Sequence, residues 1–157
     1  MLSEQNTETM AGQESAGGPD SEIGIGITVP PDQLEAAAGV EAPMLIDGEP
    51  GTGRQAVARR IHESSGRSAG PFVVLRCSGA AEAWLDNQLF GCRASLFDAS
   101  STHNEGLLEK AFGGTLFIDE ISGLSLPLQI KLHKAIREQA IRRYGEQKPR
   151  PVDTRVI

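Results

Sequence analysis

The stretch Gly48-Glu49-Pro50-Gly51-Thr52-Gly53-Arg54-Gln55 follows directly on the short apolar run Met44-Leu45-Ile46 and leads into a segment of helical periodicity. A glycine-rich turn between an apolar strand and a helix confines the chain to α/β arrangements, in which such a turn joins a strand's carboxyl end to a helix's amino end. Glycine is required where backbone must approach an anion closely or adopt φ > 0. The first N–H groups of the helix then converge on one anion. The phosphate-loop pattern is G-x-x-x-x-G-K-[S/T]. Gly48 and Gly53 match it, but Arg54 stands where lysine should reach the phosphates and Gln55 where a hydroxyl should hold Mg²⁺.

A second signal is Phe117-Ile118-Asp119-Glu120, an apolar strand ending in two acids about 65 residues further on. In such an arrangement Asp119 would hold Mg²⁺ and Glu120 would polarise an attacking water. Both motifs fall at the carboxyl ends of strands, where open α/β sheets place their ligands. Between them the pattern alternates. Val57, Ala58 and Ile61 form one helical face against Arg59, Arg60 and Glu63. Phe72–Leu75 reads as a strand, and 80–90 as a helix with Trp84, Leu85 and Leu89 facing inward. Residues 91–104 read as a long excursion, 105–111 as a short helix and 115–118 as a strand. Ser125 is placed to cap a helix over 126–139, with Pro127 in its first turn and an apolar stripe of Leu128, Leu132, Ala135, Ile136 and Gln139. Residues 152–157 begin a further strand. The expected fold is a three-layer αβα domain on a mostly parallel sheet.

Charge is unevenly spread. No Lys or Arg precedes Arg54, while residues 1–53 carry ten acids. Residues 1–24 are acidic and poor in large apolar side chains, so a disordered tail is expected. Residues 25–42 read as a linker or short edge element, with Ile27-Thr28-Val29 a candidate strand and Asp32 a candidate cap for a helix over 33–38. The basic stretch 128–157 reads as a solvated helix face rather than a nucleic-acid contact. No apolar run is long enough to cross a membrane, and no basic-then-apolar leader opens the chain. Two cysteines, Cys77 and Cys92, make neither a disulfide framework nor a zinc cluster, and His62, His103 and His133 lack ligand spacing. A cytoplasmic chain is expected.

The two motifs and their surroundings resemble the front of the AAA+ domain of bacterial enhancer-binding proteins, the activators of sigma-54 RNA polymerase. The resemblance covers residues 43–157. It rests on Gly48-Glu49-Pro50-Gly51-Thr52-Gly53, Ala58-Arg59-Arg60-Ile61-His62, Gly70-Pro71-Phe72-Val73 and Leu89-Phe90-Gly91. It continues through Gly113-Gly114-Thr115-Leu116-Phe117-Ile118-Asp119-Glu120-Ile121, Pro151-Val152-Asp153 and Thr154-Arg155-Val156-Ile157. It implies a P-loop NTPase fold with strand order 5-1-4-3-2. It further implies ATP or ADP with Mg²⁺ as ligands, Gly48–Gln55 as the nucleotide cradle, Asp119 as the metal ligand and Glu120 as the catalytic acid.

The departures fall on working parts. Besides Arg54, the family Asn that relays nucleotide state to the catalytic Glu is Arg76 here. The sigma-contacting Gly-Ala-Phe-Thr-Gly-Ala loop corresponds to Ser95-Leu96-Phe97-Asp98-Ala99-Ser100, in which both glycines and the Thr are replaced. The resemblance stops at Ile157, before the sensor I Asn, the fifth strand, the arginine fingers, the lid and any helix-turn-helix. The expected function is therefore nucleotide binding in transcription regulation with weak or no hydrolysis, through full-length AAA+ homologues rather than direct sigma-54 contact. The alternatives are a non-catalytic interaction module or remnant, and a small P-loop kinase. Strand 1 at 44–46 would form an exposed sheet edge unless 25–42 covers it.

Overall fold

A computed structural model describes residues 29–92, 104–143 and 146–157. The acidic tail, the candidate strand apart from Val29, the 95–100 loop and His103 lie outside the described residues. Helix α1 spans Pro31–Ala38 and α2 spans Arg54–Glu63, followed by strand β1, Phe72–Arg76. Helices α3 (Glu82–Phe90) and α4 (Leu107–Lys110) precede β2, Thr115–Asp119. A 3₁₀ turn at Ile121–Gly123 leads to α5, Leu126–Glu138. The short strands β3 (Ala140–Ile141), β4 (Arg150–Pro151) and β5 (Arg155–Val156) complete the order.

The main sheet is parallel, in the order β1-β2-β5. Strand β2 has neighbours on both sides, and its side chains alternate between two apolar layers, as a buried parallel strand requires. Leu116 and Ile118 join Leu75, Leu85, Leu89, Leu128 and Leu132 beneath α3, α4 and α5. Phe117 joins Leu34, Ala58, Ile61 and Ile157 beneath α1 and α2. Three layers result, as the alternation of motifs predicts. The hairpin-like antiparallel pair β3-β4 has no counterpart in the sequence reading. Its arms are too short to show periodicity. Next to it the buried Arg143 holds the Glu109 carboxylate through Nε and Nη2, both at 2.7 Å.

Several local expectations change. Met44-Leu45-Ile46 forms no ladder strand. Its N–H at Met44 donates to Val156 O at 3.1 Å, which keeps the segment beside β5, but Leu45 points outward and is 77% exposed. Helix α1 packs on the apolar layer that Met44 and Ile46 also join. It lies on the sheet's face, with Leu34 and Ala38 buried and Ala37 O accepting from Arg155 Nη2 at 2.7 Å. Its first turn is opened by Pro30 and Pro31 rather than capped by Asp32. Trp84, expected inside, is half exposed, because α3 turns Leu85 and Leu89 to the core and leaves position 84 on the solvent side. Ser125 occupies the N-cap position of α5, yet its hydroxyl donates to Glu82 Oε1 at 2.7 Å instead of capping. Gln139 is the left-handed C-cap and not part of the stripe.

Packing is tightest where β1 and β2 begin. Thr115 N–H donates to Pro71 O at 2.8 Å, and a Cβ on Gly114 would collide with that same carbonyl and with the Pro71 ring. Beside it His62 is buried, with Nδ1 2.9 Å from Thr115 Oγ1. Burial holds the His62 pKa below its ordinary value near 6.5, so the ring is neutral in the folded chain.

Two outcomes follow from these contacts. Gly114→Ala will lower stability by about 2–4 kcal/mol in denaturant unfolding, whereas Gly66→Ala, with open space around it, will change it by less than about 0.5 kcal/mol. Unfolded His62 binds a proton below about pH 6.5 that the folded chain binds only at lower pH. Stability will therefore fall as pH drops below 6.5, and the fall will be smaller in His62→Gln. Urea midpoints measured between about pH 7 and 5 check this.

Candidate functional site

The glycine-rich turn adopts the conformation its residues suggest. Gly51 and Gly53 have φ of 84° and 86°, in the left-handed region that other residues enter only with strain. Gly53 is the N-cap of α2, so the free N–H groups of the first helical turn open at the end of the loop. Thr52 closes the turn on itself, its Oγ1 donating to Glu49 O at 2.7 Å. A Cβ on Gly48 would lie 3.1 Å from Thr52 Oγ1, so a side chain there would have to push the threonine hydroxyl aside.

The second motif sits beside the turn. Asp119 ends β2, in register with Arg76 of β1, and Cys77 N–H donates to Asp119 O at 3.1 Å. Burial, and then the charges of Asp119 and Glu120, push the Cys77 thiol up to about 11, so it stays protonated and is no nucleophile. Glu120 is exposed and has φ 66° and ψ 62°. This left-handed conformation turns the chain into the 3₁₀ segment and is closed by Gly123 N–H donating to Glu120 O at 2.8 Å. Arg76 is exposed.

Arg54 joins the two motifs. Its Nη1 donates to Gly48 O at 3.0 Å, and its Nη2 lies 3.5 Å from Asp119 Oδ1. The side chain is only 22% exposed and spans the space between loop and strand end. The expected nucleotide residues and the expected acids are thus brought together. The bridge itself was not foreseen; the signal for it is the reach of arginine at a position suited to lysine. A Mg²⁺ ion needs near-octahedral oxygen ligands at about 2.1 Å. Here the nearest carboxylate is held by a guanidinium, and position 55 offers a neutral amide. Among the described residues no group of three His, Cys, Asp or Glu side chains could hold a metal. A Mg²⁺ ion using Asp119 would have to displace the guanidinium from it.

One further feature escaped the sequence reading. A groove of about 660 Å³ runs from Arg54 and Asp119 past Met44, Ile46, Leu132 and Ile136, floored by apolar side chains. It arises because 43–47 lies alongside β5 without a further neighbour among the described residues. No helix among the described residues is long and apolar enough to cross a membrane.

Comparison with known proteins places this geometry. The sigma-54 interaction domain family matches residues 27–157. The sigma-54-dependent transcriptional activator SfnR of Pseudomonas putida is 43% identical over 124 residues, covering 79% of this chain and 34% of the relative. The transcriptional regulatory protein ZraR of Escherichia coli is 41% identical over 125 residues, covering 80% of this chain and 28% of that protein. Crystal structures of NtrX from Brucella abortus in complex with ATP and with ADP superpose with TM-scores of 0.71 and 0.70 at 31% identity. They cover 80% of this chain and 26% and 27% of NtrX. The chain spans about a third or less of the length of these relatives.

Relief of the left-handed backbone at the strand end gives a test of local strain. Glu120→Gly will raise unfolding free energy by about 0.5–1 kcal/mol, measured by urea denaturation, because glycine enters that region without the Cβ penalty.

Proposed function

The chain belongs to the sigma-54 interaction domain family, and from that premise we propose that it binds ATP or ADP between the Gly48–Gly53 turn, the start of α2 and the end of β2. It serves transcription regulation as a nucleotide-responsive unit, acting with AAA+ homologues, and turns nucleotide over slowly or not at all by itself. The observation that carries the reading is the pair of left-handed glycines, Gly51 and Gly53, opening onto a helix amino end beside Asp119. That geometry directs backbone N–H groups and a helix dipole at one anion. Relatives named as sigma-54-dependent activators, and the nucleotide complexes of NtrX, support it.

The residues present favour binding over hydrolysis. Gly51, Thr52 and Gly53 would hold phosphate oxygens through the backbone, and Arg54 would add charge. Glu120, the residue suited to orient a water, is exposed and held in the left-handed region at the end of β2. A second reading, an interaction module without nucleotide, is favoured by the apolar groove and the exposed Leu45 at its rim.

A thermal melt separates the two. Saturation with ADP or ATP at about one hundred times Kd will stabilise the fold by about 2.7 kcal/mol, a midpoint rise of about 5–10 °C. Gly53→Asp will abolish the rise. A Cβ at position 53 meets nothing within 4 Å, so the variant keeps its fold with only the backbone strain added. The absence of any rise at millimolar nucleotide overturns the nucleotide reading in favour of the interaction module.

A further inference from the structure

The Arg54 bridge suggests more than a weakened lysine. In a P-loop site the metal sits between the phosphates and an acid at the end of the neighbouring strand, and its charge offsets both. In this chain a cation already stands there. Arg54 is tethered to the loop through Gly48 O at 3.0 Å and faces Asp119 Oδ1 at 3.5 Å. Gln55 supplies no hydroxyl for an ion, and the strand-end acid that would take one is ion-paired to Arg54.

We propose that Arg54 is the resident cation of this site, standing in for magnesium, so that the loop takes free ADP or ATP in preference to the magnesium complex. The inference rests on the nucleotide reading above. A guanidinium carries five N–H donors on a planar fork, enough to hold the loop carbonyl, the Asp119 carboxylate and a phosphate oxygen together. A lysine ammonium is a compact, strongly hydrated point charge without the planar fork that holds several acceptors at once. Partial burial of Arg54 limits screening of its charge by solvent. A divalent ion entering beside it would meet a fixed positive charge a few ångströms away and would have to displace it from Asp119. The role of Asp119 changes accordingly. It is a counter-ion that positions Arg54, and it competes with phosphate for the same donors.

Isothermal titration of ADP into the full chain, in excess EDTA and in excess Mg²⁺, tests this without relying on turnover. The expected result is binding in EDTA at least as tight as in magnesium. Asp119→Asn will then tighten binding in EDTA about three- to tenfold by removing the competing charge, whereas loss of a metal ligand would weaken binding. Arg54→Lys will bring magnesium dependence, with affinity in magnesium about tenfold above that in EDTA. Binding by the unaltered chain that requires magnesium overturns this inference and leaves the nucleotide reading standing. No binding in either buffer overturns both. The comparison of buffers needs no variant, so a variant that fails to fold does not protect the inference. A weakened Asp119→Asn that melts like the parent chain counts against it.

Discussion

Everything in this domain is hung on β2. The strand Thr115–Asp119 pairs with β1 on one edge and β5 on the other and sends side chains into apolar layers on both faces. Parallel pairing leaves no room for polar alternation, so after Thr115 the strand reads as an apolar run until Asp119, the first position at which it emerges. The acid is therefore placed by the core. Its backbone is fixed by pairing with β1 and by Cys77, and its carboxylate is delivered to the rim of the glycine turn at the moment the hydrophobic layers close. A burial of several large side chains, each worth about 1.5–3 kcal/mol, sets where a few charged atoms meet.

The site shows the reverse economy. The glycine turn has little apolar surface of its own, and its shape comes from φ values only glycine adopts readily. Within it the arginine side chain is the connecting element. A surface ion pair contributes about 1 kcal/mol or less, so the Arg54–Asp119 contact adds little to stability. Its importance is chemical, since it decides which cation occupies the space between turn and strand. Glu120, one residue on, is held in a strained conformation by the 3₁₀ turn that follows, and residues in such conformations cluster at functional sites.

Much of this was legible in the sequence. The layers follow from alternation of apolar runs with 3.6-residue periodicity, and the two motifs lie where strands end. What sequence could not supply depends on which neighbours are present. Met44-Leu45-Ile46 has the composition of a buried strand, yet with only β5 beside it Leu45 remains in solvent. Trp84 is apolar enough for the core, but α3 can turn only one face inward, and Leu85 and Leu89 claim it. The Ser125 hydroxyl chose Glu82 across space over its own helix end. The Arg54 bridge needs three segments in place before it exists, and no local pattern encodes it. Nor does any pattern mark the β3-β4 pair, whose strands are two residues each and held by the ion cluster around Arg143.

The bond from Arg155 to the carbonyl of Ala37 closes a loop of 118 residues. Helix α1 buries Leu34 in a layer completed by Phe117 and Ile157, so the first helix among the described residues is among the last to find its seat. Contacts of such long sequence separation are slow to form, because loop closure must be met before they reward it. On a ribosome, α1 would emerge and wait while more than a hundred further residues are synthesised, its apolar face open to chaperones or to the helices of neighbouring chains.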